Sequence, residues 1–207
     1  MYDKENLKNI KEVRIITLGE PDVGKTSIIR RFVNDVFKGD KVTLGIEFSF
    51  KIVELEGNRK IKLSVIDTNG QEKYRALPLN YFKKADVVLF VFALNDSGSF
   101  EKIGQWIDRF KNNNGKNVKK MFLIGNKSDL VKVIEQKEID DFANKYGLTY
   151  METSAKTKNQ INELFTIIAE EAYEELERKS SMSVGIQKNK IVQKTNINNK
   201  SKANNCC

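Results

Sequence analysis

The segment Gly19–Thr26 constrains this chain more than any other feature, because Gly-Glu-Pro-Asp-Val-Gly-Lys-Thr fits the pattern G-x-x-x-x-G-K-[ST]. An aliphatic run ending at Leu18 precedes it, and a helical pattern continues after it from Ser27 to Phe32. Glycines let the backbone wrap closely around an anion with its N–H groups pointing inward, and a helix start adds its positive dipole. We call Gly19–Thr26 the phosphate loop. It predicts a strand–loop–helix unit that binds phosphate rather than an ordinary turn.

Two side chains of the phosphate loop have predicted roles of their own. Lys25 is expected to reach the β- and γ-phosphates of a nucleotide and to stabilise charge during catalysis, and the Thr26 hydroxyl is expected to ligate Mg²⁺. The residues predicted to surround the nucleotide here are Glu20, Pro21, Asp22, Val23, Gly24, Lys25, Thr26 and Ser27.

Short β-type runs alternate with helical patterns along the chain, which predicts a mostly parallel sheet with helices on both faces. Apolar and polar residues alternate over Ile46–Ile52 and again over Ile61–Val65, with a turn at Glu56–Asn58, so these strands should form a hairpin. Val87–Ala93 and Val118–Ile124 are apolar throughout, as expected of strands buried on both faces. Helical stripes are formed by Ile103, Trp106, Ile107 and Phe110, by Ile139, Phe142, Ala143 and Tyr146 before a capping Gly147, and by Ile161, Leu164, Phe165, Ile168, Ala172 and Leu176.

Asp67 follows a predicted strand, Lys62–Ile66, and begins a segment that reads Asp-Thr-Asn-Gly-Gln-Glu. A carboxylate at this point can hold Mg²⁺ through a water molecule. Gly70 can give its N–H to a γ-phosphate, and Gln71 can orient an attacking water. An Asp-x-x-Gly pattern after a strand is by itself equally consistent with a simple turn. Its position after a phosphate loop favours the metal and hydrolysis reading.

Two later segments predict which base is bound. The first is Asn126-Lys127-Ser128-Asp129, where the Asp129 carboxylate can accept hydrogen bonds from guanine N1–H and N2–H₂ and Lys127 can lie along the base plane. Adenine lacks this pair of donors and would leave the carboxylate unpaired. The second is Thr153–Lys156, where the backbone N–H groups of Ser154, Ala155 and Lys156 can face guanine O6. Together the two segments predict guanine.

Composition excludes several other kinds of site and explains the positive charge. The chain has no histidine, which excludes Ser-His-Asp catalysis and histidine metal sites, and its only cysteines are Cys206 and Cys207. The net charge is +8, but residues 178–207 hold seven bases and no acid, so residues 1–177 carry only +1. This tail is rich in Asn, Ser and Lys, and we expect it to be disordered. The nearly neutral body argues against nucleic-acid binding.

These motifs resemble those of the Ras-like small GTPases, and within them the Rab family of membrane-traffic switches. The resemblance covers residues 11–177 and the extreme C-terminus. It implies a six-stranded, mostly parallel sheet with one antiparallel edge strand and helices on both faces. It also implies three parts of the chain: an N-terminal extension over residues 1–10, a GTP-binding domain over 11–177 and a tail over 178–207. Rab-like features are Gly45-Ile46-Glu47-Phe48, Lys73-Tyr74-Arg75, Tyr81-Phe82 and Cys206-Cys207.

The resemblance also implies roles that the residues alone do not. Thr43 would ligate Mg²⁺ in the GTP state, and Phe37 would pack edge-on against guanine. Cys206 and Cys207 would carry geranylgeranyl lipids on the cytoplasmic face of intracellular membranes, from which the protein would cycle to the cytosol. Expected partners are effectors, an exchange factor, a GTPase-activating protein and a prenyl-binding dissociation inhibitor, all acting through the switch regions of a monomer.

Departures from the family pattern leave a second reading open. Pro21 has no N–H to donate and crowds the γ-phosphate position. Asn69 stands where the family usually has alanine between the threonine and the glycine of the Asp-Thr-Ala-Gly-Gln sequence. Ile66 stands where the family usually has tryptophan, in a cluster with Phe48 and Tyr81 that should face effectors. The alternative is a GTP-binding interaction module that does not hydrolyse GTP. A nucleoside or nucleotide kinase is a further alternative, but the sequence has no arginine-rich lid segment. The last alternative is that the basic tail binds nucleic acid.

Overall fold

The computed structural model describes residues 10–37, 46–68, 79–113 and 118–178. Strands and helices alternate over most of these residues, as the sequence predicts. The strands are β1 (Lys11–Leu18), β2 (Ile46–Leu55), β3 (Arg59–Thr68), β4 (Val87–Ala93), β5 (Lys120–Asn126) and β6 (Thr149–Glu152). The helices are α1 (Lys25–Asn34), α2 (Leu79–Lys84), α3 (Ser97–Glu101), α4 (Ile103–Asn113) and α5 (Gln136–Tyr146), followed by helical residues 161–170, here α6.

The six strands form one sheet in the order β2-β3-β1-β4-β5-β6. All neighbours run parallel except β2 and β3, which pair antiparallel from Ile46 opposite Thr68 to Leu55 opposite Arg59. The hairpin between them turns through a short 3-10 helix, Glu56–Asn58, in which Gly57 has a φ of 72°. The predicted fold class, a mostly parallel six-stranded sheet with one antiparallel edge strand, is confirmed.

Each face of the sheet is covered by a different set of helices. On one face, alternate strand residues such as Ile16, Val88 and Phe90 pack with apolar side chains of α4 and α5 in a single buried cluster. On the other face, α1 and α6 meet where the rings of Phe32 and Phe165 stack 3.7 Å apart. The predicted stripes of α4 and α5, and the part of the last stripe that lies on α6, therefore bury the core.

Element boundaries differ from the sequence predictions by a few residues. The first strand begins at Lys11, and the strand expected over 118–124 is Lys120–Asn126 instead. The last two residues of β5 are Gly125 and Asn126, which extend no apolar run. They nevertheless pair with Phe92 and Ala93 of β4. Backbone pairing therefore continues past the end of the apolar run and places Asn126 at the carboxyl end of β5. Gly147 caps α5 as predicted, with a φ of 67°.

The chain divides into two compact units between Glu170 and Glu171. The first unit contains the sheet and its helices, and in the second unit residues 171–178 are helical. Among the described residues, every helix is too short or too polar to cross a bilayer.

Candidate functional site

The phosphate loop joins β1 to α1 at the carboxyl edge of the sheet, where parallel α/β folds bind their ligands. Its backbone depends on glycine at two positions. Gly19 has a φ of 148°, and a Cβ there would lie 2.1 Å from the carbonyl oxygen of Val91. Gly24 has a φ of 96°, and a Cβ there would lie 2.3 Å from Asn126 Nδ2. The loop is thus packed directly against β4 and against the end of β5.

Lys25 turns back over the loop from the first turn of α1. Its ammonium donates hydrogen bonds to the carbonyl oxygens of Gly19 at 2.9 Å and Glu20 at 2.7 Å, and only 4% of the residue is exposed. These contacts hold a positive charge inside the loop. Phosphate is the ligand class that this arrangement of a cation and a helix N-terminus favours.

The Glu20 side chain anchors the outer side of the loop, which the sequence did not predict. One carboxylate oxygen accepts from Lys102 Nζ at 2.8 Å, and the other accepts from the indole Nε1 of Trp106 at 3.1 Å. The beginning of the phosphate loop is therefore tied to α4 and to the residue that precedes it.

Asp67 and Thr26 lie together beneath the loop, as expected of a shared metal site. Thr26 Oγ1 donates to Asp67 Oδ2 at 2.6 Å, and Thr17 Oγ1 donates to Asp67 Oδ1 at 3.4 Å. Burial raises the pKa of the Asp67 carboxyl above its ordinary value, so its ionised form lacks part of the stabilisation that water would give. A divalent cation would supply that stabilisation.

The oxygen ligands at this point fit Mg²⁺. A hydroxyl and a carboxylate are hard donors, and Mg²⁺ in nucleotide sites is held by one or two protein groups together with phosphates and waters. The described part of the chain contains no cluster of three or more Asp, Glu, His or Cys that could hold a metal ion. Thr17 was not predicted, since a hydroxyl inside a strand carries no sequence signal.

The two base-recognition segments meet at Asp129. Its Oδ1 accepts a hydrogen bond from Ser154 Oγ at 2.6 Å, its Oδ2 lies 3.6 Å from Lys156 Nζ, and the side chain is 12% exposed. The Ser154 hydroxyl, helped by the charge of Lys156, holds the pKa of Asp129 below its ordinary value. The carboxylate is therefore ionised at neutral pH, which an acceptor for guanine N–H groups requires.

Asn126 connects the phosphate loop to the base segments. Its Nδ2 donates to the carbonyl oxygen of Val23 at 2.8 Å, while its Oδ1 accepts from Thr153 Oγ1 at 3.2 Å and from the N–H of Ala155 at 3.3 Å. The side chain is 2% exposed, so all three bonds are shielded from water. One amide thus fixes the distance between the two halves of the site.

Comparison with known protein families identifies the family of the chain that makes these contacts. The sequence model of the Ras family matches residues 14–174. The chain belongs to the Ras family. It is 30% identical to Ras-related protein SEC4 of Saccharomyces cerevisiae over 197 residues, which are 94% of this chain and 91% of SEC4. It is 35% identical to Ras-related protein Rab-13 of Bos taurus over 159 residues, covering 75% and 77% of the two chains. It is 30% identical to GTP-binding protein ypt1 of Schizosaccharomyces pombe over 198 residues, covering 94% and 96%.

Within the Ras family the chain is a small GTPase of the Rab type, as the sequence motifs predicted. It binds GTP with Mg²⁺, hydrolyses GTP to GDP and regulates vesicle traffic. Rab-type proteins act through effectors and regulators and are associated with intracellular membranes.

Several residues predicted for the Ras-family site lie outside the described residues. These are Thr43, Gly70 and Gln71, together with Asn69, the terminal Cys206 and Cys207, and the Rab-like residues Gly45 and Lys73–Arg75. Their roles stay predictions. Lys127 is described, with a φ of 64° in the turn that follows β5.

Among the other predicted residues, Phe37 and Phe48 are exposed, Tyr81 is half-buried and Ile66 is buried. Phe37 is 42% exposed, and its ring centroid lies 5.9 Å from the guanidinium carbon of Arg31. Phe48 is 63% exposed and its ring lies 5.5 Å from that of Tyr81, while Ile66, directly opposite Phe48 in the β2–β3 ladder, is buried. Phe48 thus lies next to both other members of the predicted effector cluster; its own ring is exposed, and that of Tyr81 is half-buried.

Proposed function

We propose that the contacts described above form a guanine-nucleotide switch with a specific division of roles. Lys25 neutralises the β- and γ-phosphates, Thr26 and Asp67 hold Mg²⁺ with Thr43, and Asp129 selects guanine. The observation that carries this proposal is the Asn126 side chain, which bonds both to the phosphate loop and to the segment predicted to face guanine O6. A protein that binds phosphate alone has no need of this link.

Hydrolysis in this proposal depends mainly on positioning and charge. Mg²⁺ supplies positive charge next to the phosphate oxygens when it is bound. The phosphate-loop N–H groups and the Lys25 ammonium stabilise negative charge that develops on the transferred phosphoryl group. Gln71 orients the attacking water, whose oxygen bonds to phosphorus as the bond to the GDP leaving oxygen breaks.

Switching would follow from contacts of two segments with the γ-phosphate. The segments around Thr43 and Gly70 are proposed to be held while that phosphate is present and released after hydrolysis. Effectors would bind next to them on the surface formed by Phe48 and Tyr81. Exposed aromatic rings are common at the centres of protein interfaces, which supports this assignment.

Membrane attachment is proposed to come from the C-terminal tail. Geranylgeranyl groups on Cys206 and Cys207 would give the two hydrophobic anchors that stable attachment needs. The seven basic residues of 178–207 would each add about 1 kcal/mol close to an anionic surface. A prenyl-binding dissociation inhibitor would cover the lipids while the protein cycles through the cytosol. Serine at both cysteines should abolish membrane recovery in cells, and unchanged recovery would contradict the proposal.

The test of base selection begins with the nucleotide that co-purifies with the full chain. We expect GDP or GTP, and calorimetry should give a much higher affinity for GDP than for ADP. Asp129→Asn should remove most of that preference while leaving the fold intact by circular dichroism, because an amide cannot accept from both guanine donors. Equal affinities for GDP and ADP in the unmodified chain would refute the proposal.

The test of hydrolysis uses Gln71→Leu in a single-turnover assay with Mg²⁺. Losing the amide should slow phosphate release and leave GTP affinity nearly unchanged, because the side chain acts on water rather than on the nucleotide. Unchanged hydrolysis would remove Gln71 from the mechanism. No phosphate release from the unmodified chain, even with cell extract, would favour the module that binds GTP without hydrolysing it.

A further inference from the structure

Arg31, in the last turn of α1, reaches across to the loop that follows β6. Its Nε donates to the carbonyl oxygen of Ala155 at 2.9 Å, and its Nη2 donates to that of Lys156 at 3.2 Å. The partners are 124 and 125 positions away along the chain, and the Arg31 side chain is only 15% exposed. Both belong to the segment proposed to face guanine O6. The N–H of Ala155 bonds to Asn126 Oδ1, whereas the N–H of Lys156 belongs to the same peptide group as the Ala155 carbonyl that Arg31 holds.

The same guanidinium also holds the end of α1. Nη1 donates to the Asp35 carbonyl oxygen at 3.0 Å and to Asp35 Oδ1 at 3.3 Å. Lys158 Nζ donates to the other oxygen of that carboxylate at 2.8 Å, so a second cation from the same loop joins the contact. Asp35 itself has a φ of 55° and its N–H caps the helix. Helix end and loop are therefore fixed to each other at several points.

Two residues after Asp35, the ring of Phe37 lies against Arg31. The distance of 5.9 Å from the guanidinium carbon to the ring centroid is within the range of a cation–π contact. Arg31 is thus in contact both with the loop proposed to read guanine O6 and with the ring proposed to pack on the base.

We propose that Arg31 is a positioning residue for guanine recognition. By fixing the carbonyls of Ala155 and Lys156 it sets the orientation of the peptide groups in that loop, and by packing on Phe37 it holds the ring beside the base. The inference rests on the proposed guanine-binding function. It adds that base selectivity depends on a side chain that does not touch the base.

The planar guanidinium is essential to this role. Its five N–H donors point in fixed directions and serve acceptors on two different segments, whereas a lysine ammonium is a point charge on a flexible stem. Arg31→Lys should therefore lose most of the effect although it keeps the charge. Arg30 provides the matched control, because it is the neighbouring arginine on α1 and its ion pair is with Glu47, at 3.6 Å.

The experiment uses the full chain loaded with fluorescently labelled GDP. Arg31→Ala and Arg31→Lys should release the label about tenfold faster or more, the factor that follows from losing roughly 1.4 kcal/mol of hydrogen bonding. Competition by unlabelled GDP and ADP should show the preference for GDP reduced by a similar factor. A purely structural role would lower the melting temperature without changing that preference. Arg30→Ala should behave as the unmodified chain does.

The outcomes separate this inference from the function on which it rests. If the unmodified chain does not prefer GDP to ADP, the guanine-binding function itself fails. If it does prefer GDP, and both Arg31 variants keep its release rate and its preference, only the role of Arg31 is overturned. Should Arg31→Ala fail to fold, Arg31→Lys alone decides between these outcomes.

Discussion

Replacing Asn126 with alanine tests whether one buried amide holds the two halves of the site together. The change removes the donor to Val23 and the acceptor for Thr153 and Ala155. A net hydrogen bond contributes about 0.5–1.5 kcal/mol, and a buried polar group left unpaired costs about 1–3 kcal/mol. Only the Thr153 hydroxyl can rotate toward another partner, so we expect a loss of about 3–5 kcal/mol in the free energy of unfolding.

A loss of this size is large against the roughly 5–15 kcal/mol that stabilises an ordinary domain. It should be measured by urea unfolding at one fixed GDP concentration, because bound nucleotide adds its own stabilisation. Labelled GDP should also dissociate at least tenfold faster, since the phosphate loop and the base loop lose their common anchor. Thr153→Val is the matched control. It removes one of the three bonds and should lower stability by about 1 kcal/mol.

The reasoning would be refuted if Asn126→Ala lowered the free energy of unfolding by less than about 1 kcal/mol, because one ordinary hydrogen bond alone contributes that much. Unchanged GDP dissociation in a well-folded Asn126→Ala variant would show instead that the two halves are positioned independently.

Three further changes test other parts of the structure. Gly24→Ala should weaken GDP affinity at least tenfold by calorimetry, because a Cβ there would lie 2.3 Å from the Asn126 amide; unchanged affinity would mean the loop relaxes freely. Ser154→Ala should make the stability of the fold less sensitive to acid, because the Ser154 hydroxyl is the main cause of the lowered pKa of Asp129. That lowered pKa stabilises the fold above about pH 4, and the stabilisation is lost as the pH falls through the pKa of the folded state. Urea unfolding at about pH 7 and pH 3 should therefore differ less in the variant, and an equal difference would exclude the serine as the cause. Phe165→Ala should lower the free energy of unfolding by about 3–5 kcal/mol, because its buried ring stacks on a ring of α1; a loss below 1 kcal/mol would contradict that packing.

The sequence predicts the fold and the local motifs of this chain well, because both depend on patterns within a few residues. The phosphate loop follows from spacing, and β2 and β3 follow from alternation with a turn between them. The end of β5 was wrong by two residues, because an apolar criterion stops at Ile124 whereas the backbone ladder continues to Asn126. That difference matters, since it brings Asn126 to the edge of the sheet.

The supporting side chains of the site could not be predicted in the same way. Thr17 contacts Asp67 from 50 positions away, and Arg31 contacts Ala155 from 124 positions away. Such pairs arise only when separate elements pack, so no local pattern identifies them. A hydroxyl in a strand and an arginine on a helix look the same whether or not they reach a partner.

Trp106 is the only tryptophan of the chain, and its indole nitrogen bonds to the carboxylate at the start of the phosphate loop. Its ultraviolet emission therefore comes from a single place and is sensitive to the charge beside it. Because Glu20 stands at the start of the phosphate loop, we expect nucleotide loading to change this intrinsic signal, so that loading can be tested with no dye attached to either molecule.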